Sequence, residues 1–221
     1  MSRFFVTANN TSAGKTLVGR GISANMVRKG ARVAALKPIE TGVVATAEDA
    51  VALANACKNP DLAQLPEFIR YRLPLAPYAC SLLGEPAIDV GRLVAAIDRA
   101  SDGTELVLVE GAGGVLSPIN EGLSMADFAV AIDADCLLVA RDELGAISTT
   151  LSAFESLQSR GARVRAVVLT KRDDEFAMNN EILRTRLANV PVLSFSIADE
   201  SEAALAEEAE RSGLIRTLLG R

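Results

Sequence analysis

Six short apolar runs punctuate the chain, at residues 3–8, 32–36, 105–109, 135–140, 163–169 and 190–195. Runs of that length bounded by turn residues predict buried strands. Between them apolar residues recur at helical spacing, which predicts helices over about 14–29, 48–57, 89–100, 146–160 and 176–188. An amphipathic final helix is expected near 201–218, and Gly30 stands where a helix C-cap glycine belongs. Strands alternating with helices imply right-handed crossovers. The expectation is an α/β fold: a single-domain, doubly wound, mostly parallel sheet with helices on both faces. One stretch breaks the alternation. Residues 58–88 hold Pro60, Pro66, Pro74, Pro77 and Pro86 and read as an irregular connection within one domain spanning 1–221.

Composition sharpens this picture. Apolar residues make up 49% of the chain but aromatics only 4%, so the core is aliphatic, as suits a parallel sheet covered on both faces. That mixture excludes a disordered chain, a collagen or a disulfide scaffold. The net charge of −5 argues against a nucleic-acid or anionic-membrane partner. Histidine is absent, which removes Ser-His-Asp and Cys-His mechanisms and any His-ligated zinc. Cys57, Cys80 and Cys136 are odd in number and widely spaced, and read as reduced intracellular thiols. The opening apolar run is too short for a signal peptide and no stretch approaches a membrane span, so a cytoplasmic location is expected.

The first strand-to-helix junction carries the strongest chemical signal. Thr7-Ala8-Asn9-Asn10-Thr11-Ser12-Ala13-Gly14-Lys15-Thr16 ends in the Gly-Lys-Thr of a phosphate loop. Small residues let backbone N–H groups approach phosphate oxygens at a helix N-terminus. There Lys15 can reach the β- and γ-phosphates and the Thr16 hydroxyl can ligate Mg²⁺. The usual first glycine is Asn9, a residue that tolerates positive φ. An ordinary polar loop with a chance Gly-Lys-Thr is the alternative. Lys37, one of five lysines, closes the second strand, so it faces the same carboxyl-end crevice as Lys15. Glu110 ends the third strand at the position where an acid helps hold Mg²⁺, before Gly111-Ala112-Gly113-Gly114. Asp49 opens a helix and reads equally as its cap or as a metal ligand.

Together these segments resemble the dethiobiotin synthetase family. The resemblance rests on Ala8 through Thr16, Lys37-Pro38-Ile39-Glu40-Thr41-Gly42, Asp49-Ala50 and Glu110 through Gly114. Weaker echoes are Pro74-Leu75-Ala76-Pro77, Glu85-Pro86, Ala126-Asp127-Phe128 and Leu144-Gly145-Ala146-Ile147. The resemblance implies an ATP- and Mg²⁺-dependent cyclo-ligase, a homodimer that joins 7,8-diaminononanoate and CO₂ into a cyclic urea. It further implies Lys37, Lys15 and Thr11 as catalytic residues and Thr16, Asp49 and Glu110 as Mg²⁺ ligands. Ser12, Ala13, Gly14, Lys15, Thr16, Leu17 and Thr170 would hold the nucleotide. Thr41, Gly111, Ala112, Gly113, Gly145, Ala146 and Ser148 would contact substrate, the last three near a partner's substrate tail.

The chain departs from that family at Ala8, Asn10, Tyr78, Ser148 and Thr149. Thr170-Lys171-Arg172-Asp173 also fits a guanine-reading pattern, so the base is left open. Two rivals stand beside the family reading. A cobyrinate amidase-type synthetase usually carries an additional glutaminase domain, for which this chain has no room. A MinD- or ParA-type nucleotide switch carries a second lysine early in its loop, where this chain has Ala8 to Ala13. The acidic run 199–210 reads as a helix start with a solvated face, and would repel an anionic membrane.

Overall fold

The computed structural model describes residues 1–171, 176 and 178–220. Its first half runs β1 (Ser2–Ala8), α1 (Lys15–Arg28), β2 (Val33–Leu36), β3 (Ile39–Thr41), α2 (Glu48–Ala56), a 3₁₀ turn (Pro60–Gln64), β4 (Ile69–Tyr71) and α3 (Pro77–Leu82). It continues with α4 (Val90–Ala100), β5 (Leu106–Glu110), α5 (Met125–Ala131), β6 (Asp135–Arg141), α6 (Ala146–Gln158) and β7 (Val164–Lys171). The last elements are α7 (Met178–Arg186), β8 (Val192–Ser196), α8 (Glu202–Arg211) and α9 (Leu214–Leu219).

Six strands form one parallel sheet in the order β2-β5-β1-β6-β7-β8. The predicted doubly wound α/β class is what the chain adopts. Every residue of β5 is buried, as are the last five of β1, so these strands present aliphatic side chains to helices on both faces. Phe5 and Phe128 meet edge-on with ring centroids 5.9 Å apart, inside a core that is mostly aliphatic. From central β1 the chain crosses to β2 on one side and pairs with β6 on the other. This reversal opens a crevice at the carboxyl end of β1, where open α/β sheets bind ligands.

The 58–88 connection is more ordered than its prolines suggest. Pro60 and Pro77 each begin a helical turn, where a missing N–H costs nothing. Between them β4 pairs in parallel with β3, Ile39 with Ile69 and Thr41 with Tyr71. Pro38 ends the β2 ladder, and its carbonyl accepts from Ile69 N at 2.7 Å. The buried Tyr71 hydroxyl donates to the Pro86 carbonyl and lies 3.2 Å from Ser81 Oγ. Arg70 reaches the carbonyls of Lys37 and Ala63 at 2.8 and 3.1 Å. These bonds knit the Pro-rich segment to the end of β2. The expected final helix is instead two helices, because Gly213 turns left-handed at φ +79°. Helix α5 was not foreseen, although Ser124 and Asp127 cap it reciprocally.

Helix α1 is held against α8 by close approach. An added Cβ at Gly21 would lie 2.7 Å from the Leu205 carbonyl oxygen, and Asn25 Nδ2 donates to the Ala206 carbonyl at 2.9 Å. Gly21→Ala gains about 1 kcal/mol of helix propensity, but overpacking costs about 1–3 kcal/mol. The expected net result is a lower urea midpoint. A midpoint unchanged or raised would show that the helices separate without strain.

Candidate active site

The phosphate loop hangs from the central strand. Asn9 N donates to Val139 O at 3.2 Å and Val115 N to Ala8 O at 2.9 Å, which ties both ends of the crevice to neighbouring segments. Left-handed backbone falls on Ser12 (φ +56°) and Gly14 (φ +92°), not on Asn9. Asn9 has a different task from the one expected: its Nδ2 donates to Thr149 Oγ1 at 2.9 Å. Asn10 Oδ1 accepts from Thr11 N at 2.8 Å, a side chain bracing its own turn. An added Cβ at Gly14 would press on Thr170 Cγ2 at 3.0 Å, so this position needs glycine for space as well as for φ.

Beyond the loop, four charged side chains converge. Pro38 breaks the ladder after Lys37, whose ammonium is 4% exposed. Lys37 Nζ lies 2.5 Å from Glu110 Oε1, 3.2 Å from Asp49 Oδ2 and 3.0 Å from the Gly111 carbonyl. Thr16 Oγ1, on the first turn of α1, is 3.0 Å from both Asp49 Oδ1 and Glu110 Oε1. Glu110 is 2% exposed, and its Oε2 is buried without a partner. Lys15 is buried on the same wall. Asp49 is held through its backbone. The Glu40 carboxylate accepts from Asp49 N and from Ala50 N, both at 3.0 Å.

Burial dominates the proton affinities here. Desolvation lowers the Lys15 ammonium to about 8, against the pull of Glu110 and with the push of Lys37. Burial also opposes the Lys37 charge, but Glu110 and then Asp49 outweigh it and hold that ammonium above its ordinary range. Burial raises the Glu110 carboxyl, with Lys37 pulling the other way. At Glu110 burial thus outweighs the pull of the nearby lysines.

Thr11, Ser12, Gly14, Lys15, Thr16, Leu17, Lys37, Thr41, Asp49, Glu110, Ala112 and Gly113 all line one cavity of about 580 Å³. Ala13 is buried behind it, its carbonyl accepting from Thr170 Oγ1 at 2.8 Å. The Thr170 hydroxyl is thus spent on bracing the loop. The residue also borders an adjoining space of about 220 Å³ shared with Ser12, Gly14 and Leu17. Arg172 and Asp173, the rest of the ambiguous base-reading tetrapeptide, lie outside the described residues.

Gly111 acts through its backbone: an added Cβ would strike Phe5 Cζ at 2.8 Å. Gly145, Ala146 and Ser148 are not brought to this cavity, because α6 leaves β6 on the other side of the loop. Ser148 instead faces a separate space of about 470 Å³ with Asn9, Asn10 and Ser117.

Arg20, Glu40, Glu48, Ala52 and Glu200 complete the cavity wall and were not foreseen. Arg20 follows Thr16 by one helical turn, a spacing that could have revealed it. Glu40 sits inside the Lys37–Gly42 motif, and only its reach to α2 gives it away. Among the described residues no three His, Cys, Asp or Glu side chains gather as a ready-made metal cluster.

A family model described as "AAA domain" matches residues 2–199. A Caulobacter protein named ATP-dependent dethiobiotin synthetase BioD is 37% identical over 179 residues, 79% of this chain and 78% of that protein. Proteins of the same name from Phenylobacterium zucineum and Methanocaldococcus jannaschii are 33% and 32% identical, covering 88% and 75% of this chain and 88% and 78% of theirs. Among solved structures, the MinD cell division protein of Aquifex aeolicus superposes with a TM-score of 0.62 at 16% identity, over 100% of this chain and 98% of that one. The Pyrococcus horikoshii septum site-determining protein MinD complexed with Mg-ADP gives 0.58 at 15%, over 99% and 93%. At such identity these structures share the fold alone.

The low Lys15 value has a measurable sign. At pH 8 about half of these ammonium groups have lost their proton, and an arriving anion restores it. Calorimetric titration with a non-hydrolysable ATP analogue, in buffers of different ionisation enthalpy, is expected to show proton uptake rising from near zero at pH 6.5 to a substantial fraction at pH 8.5. Lys15→Arg is expected to abolish that uptake. Uptake independent of pH would contradict the depressed value.

Proposed function

The chain belongs to the dethiobiotin synthetase family, and from that membership we propose that its cavity performs ATP-dependent carboxylation and ring closure of 7,8-diaminononanoate. One observation supports this above the rest. Lys15, Lys37, Thr16, Asp49 and Glu110, from four separate segments, surround a single cavity above the phosphate loop.

The two ammonium groups serve the amine chemistry. Positive charge nearby lowers the pKa of a bound alkylammonium, so the free amine that attacks CO₂ becomes available. The same charges then stabilise the carbamate anion that results, the proton leaving to solvent. Lys15 and the backbone N–H groups from Ser12 to Thr16 hold the triphosphate in line, and a carbamate oxygen takes the γ-phosphoryl group as ADP departs. The second amine attacks the mixed anhydride within the same molecule, releasing phosphate and closing the urea ring. No side-chain nucleophile enters, in keeping with a chain that has no histidine. Thr11 and Thr41 line the reacting end, and Ala112 and Gly113 let substrate approach backbone.

Thr16, Asp49 and Glu110 suit magnesium: they are hard oxygen donors, few enough to leave room for water and phosphate oxygens, and Glu110 Oε2 lacks a partner. When bound, the ion neutralises phosphate charge. We further propose a cytoplasmic homodimer in which Gly145, Ala146 and Ser148 meet the carboxylate tail of a partner's substrate. Nucleic acid and membrane are no part of the reading; among the described residues no helix is long and apolar enough to cross a membrane. A nucleotide switch of the MinD type is the second reading, favoured only by the shared fold.

Incubation with diaminononanoate, bicarbonate, Mg²⁺ and ATP is expected to yield the cyclic urea by mass spectrometry. Folded protein that makes none, while hydrolysing ATP in the presence of a protein or DNA partner, would favour the switch. Lys37→Ala is expected to lower turnover by at least about 10²–10³-fold while leaving nucleotide binding largely intact. Turnover at the wild-type level would remove Lys37 from the chemistry.

A further inference from the structure

Helix α2 begins without a cap of its own. Ala47 stands at its N-cap position and has no side chain that could accept from the first turn. The helix is nine residues long, so an uncapped end would leave its N–H groups exposed to fraying. The missing acceptor comes from another element. Glu40, in the middle of β3, sends one carboxylate oxygen to Asp49 N and the other to Ala50 N, each at 3.0 Å. The negative charge also suits the positive end of the helix dipole.

We propose that Glu40 is a positioning residue for the metal–nucleotide site, fixing Asp49 so that its carboxylate meets Thr16 and Lys37. The inference rests on the reading of Asp49 as a magnesium ligand. Several observations converge on it. Glu40 is buried yet lines the catalytic cavity, three residues after Lys37 and directly before Thr41. Its strand is anchored on the other side by β4, with Glu40 paired in register to Arg70, whose guanidinium also holds the Lys37 carbonyl. The Asp49 side chain is 43% exposed, so packing alone does little to hold it. One side chain thereby links the segment carrying Lys37 to the segment carrying Asp49. Groups that orient a metal ligand in this way commonly change metal affinity by about 10–100-fold when removed.

Binding of Mn²⁺ in the presence of ADP, followed by electron paramagnetic resonance, tests this directly, beside turnover measured against Mg²⁺ concentration. Asp49→Asn supplies the benchmark. Glu40→Ala is expected to weaken Mn²⁺ binding at least tenfold and to raise the Mg²⁺ concentration for half-maximal turnover by a similar factor. Excess Mg²⁺ is expected to restore most of kcat. Glu40→Gln keeps one acceptor oxygen and is expected to fall between Glu40→Ala and wild type. If Asp49→Asn weakens Mn²⁺ binding while Glu40→Ala leaves it unchanged and only lowers the melting temperature, Glu40 is a helix cap and the proposal is overturned. If Asp49→Asn binds Mn²⁺ like wild type, Asp49 is no ligand, and the metal assignment falls together with this inference.

Discussion

A buried ammonium shared between two carboxylates organises the whole crevice. Lys37 reaches Glu110 from the neighbouring strand and Asp49 from the following helix, so one cation joins three chain segments. A buried charge without partners would cost several kcal/mol, so neither Lys37 nor Glu110 can move alone, whereas Asp49 is half-exposed. Pairing Lys37 leaves Glu110 with a second oxygen still unsatisfied. The cluster is therefore closed enough to be stable and open enough to accept another cation.

The two lysines, though neighbours, are prepared for different tasks. Lys37 is held charged by its carboxylates. Lys15 is desolvated with less compensation, which lowers its ammonium to about 8, and an anionic ligand would raise it again. Such division between a fixed and a conditional positive charge comes from position on the fold: Lys37 ends a strand beside Glu110, whereas Lys15 opens a helix above a loop of backbone donors.

Much of this was legible from residues alone. The six strands of the main sheet and the Gly-Lys-Thr junction follow from short aliphatic runs and a turn, because both signals are local. Lys37 and Glu110 could be assigned to one crevice because strand ends share an edge in a parallel sheet. Glu40 could not, since its meaning lies in a reach to the backbone of a helix nine residues on. The β3–β4 pairing was equally hidden: three-residue strands flanked by prolines carry no periodicity, and only the partner makes them strands. Asn9 was read for its backbone tolerance and turned out to matter for its side chain. Gly145, Ala146 and Ser148 stay outside the cavity of Lys15 and Lys37, and Ser148 shares only a separate space with Asn9 and Asn10, which no sequence spacing foretells.

The order of the sheet has a consequence for how the molecule is made. β1 lies between β5 and β6, and its register partners begin at Leu106 and Asp135. On the ribosome this strand emerges before both partners, and roughly a hundred residues must follow before either edge finds a companion. Non-local pairing of this kind slows folding and leaves apolar edges open to wrong partners. Phe4, Phe5 and Val6 are thus the stretch a nascent chain most needs shielded. The loop that follows β1 is enclosed only once β5 and β6 have taken their places on either side.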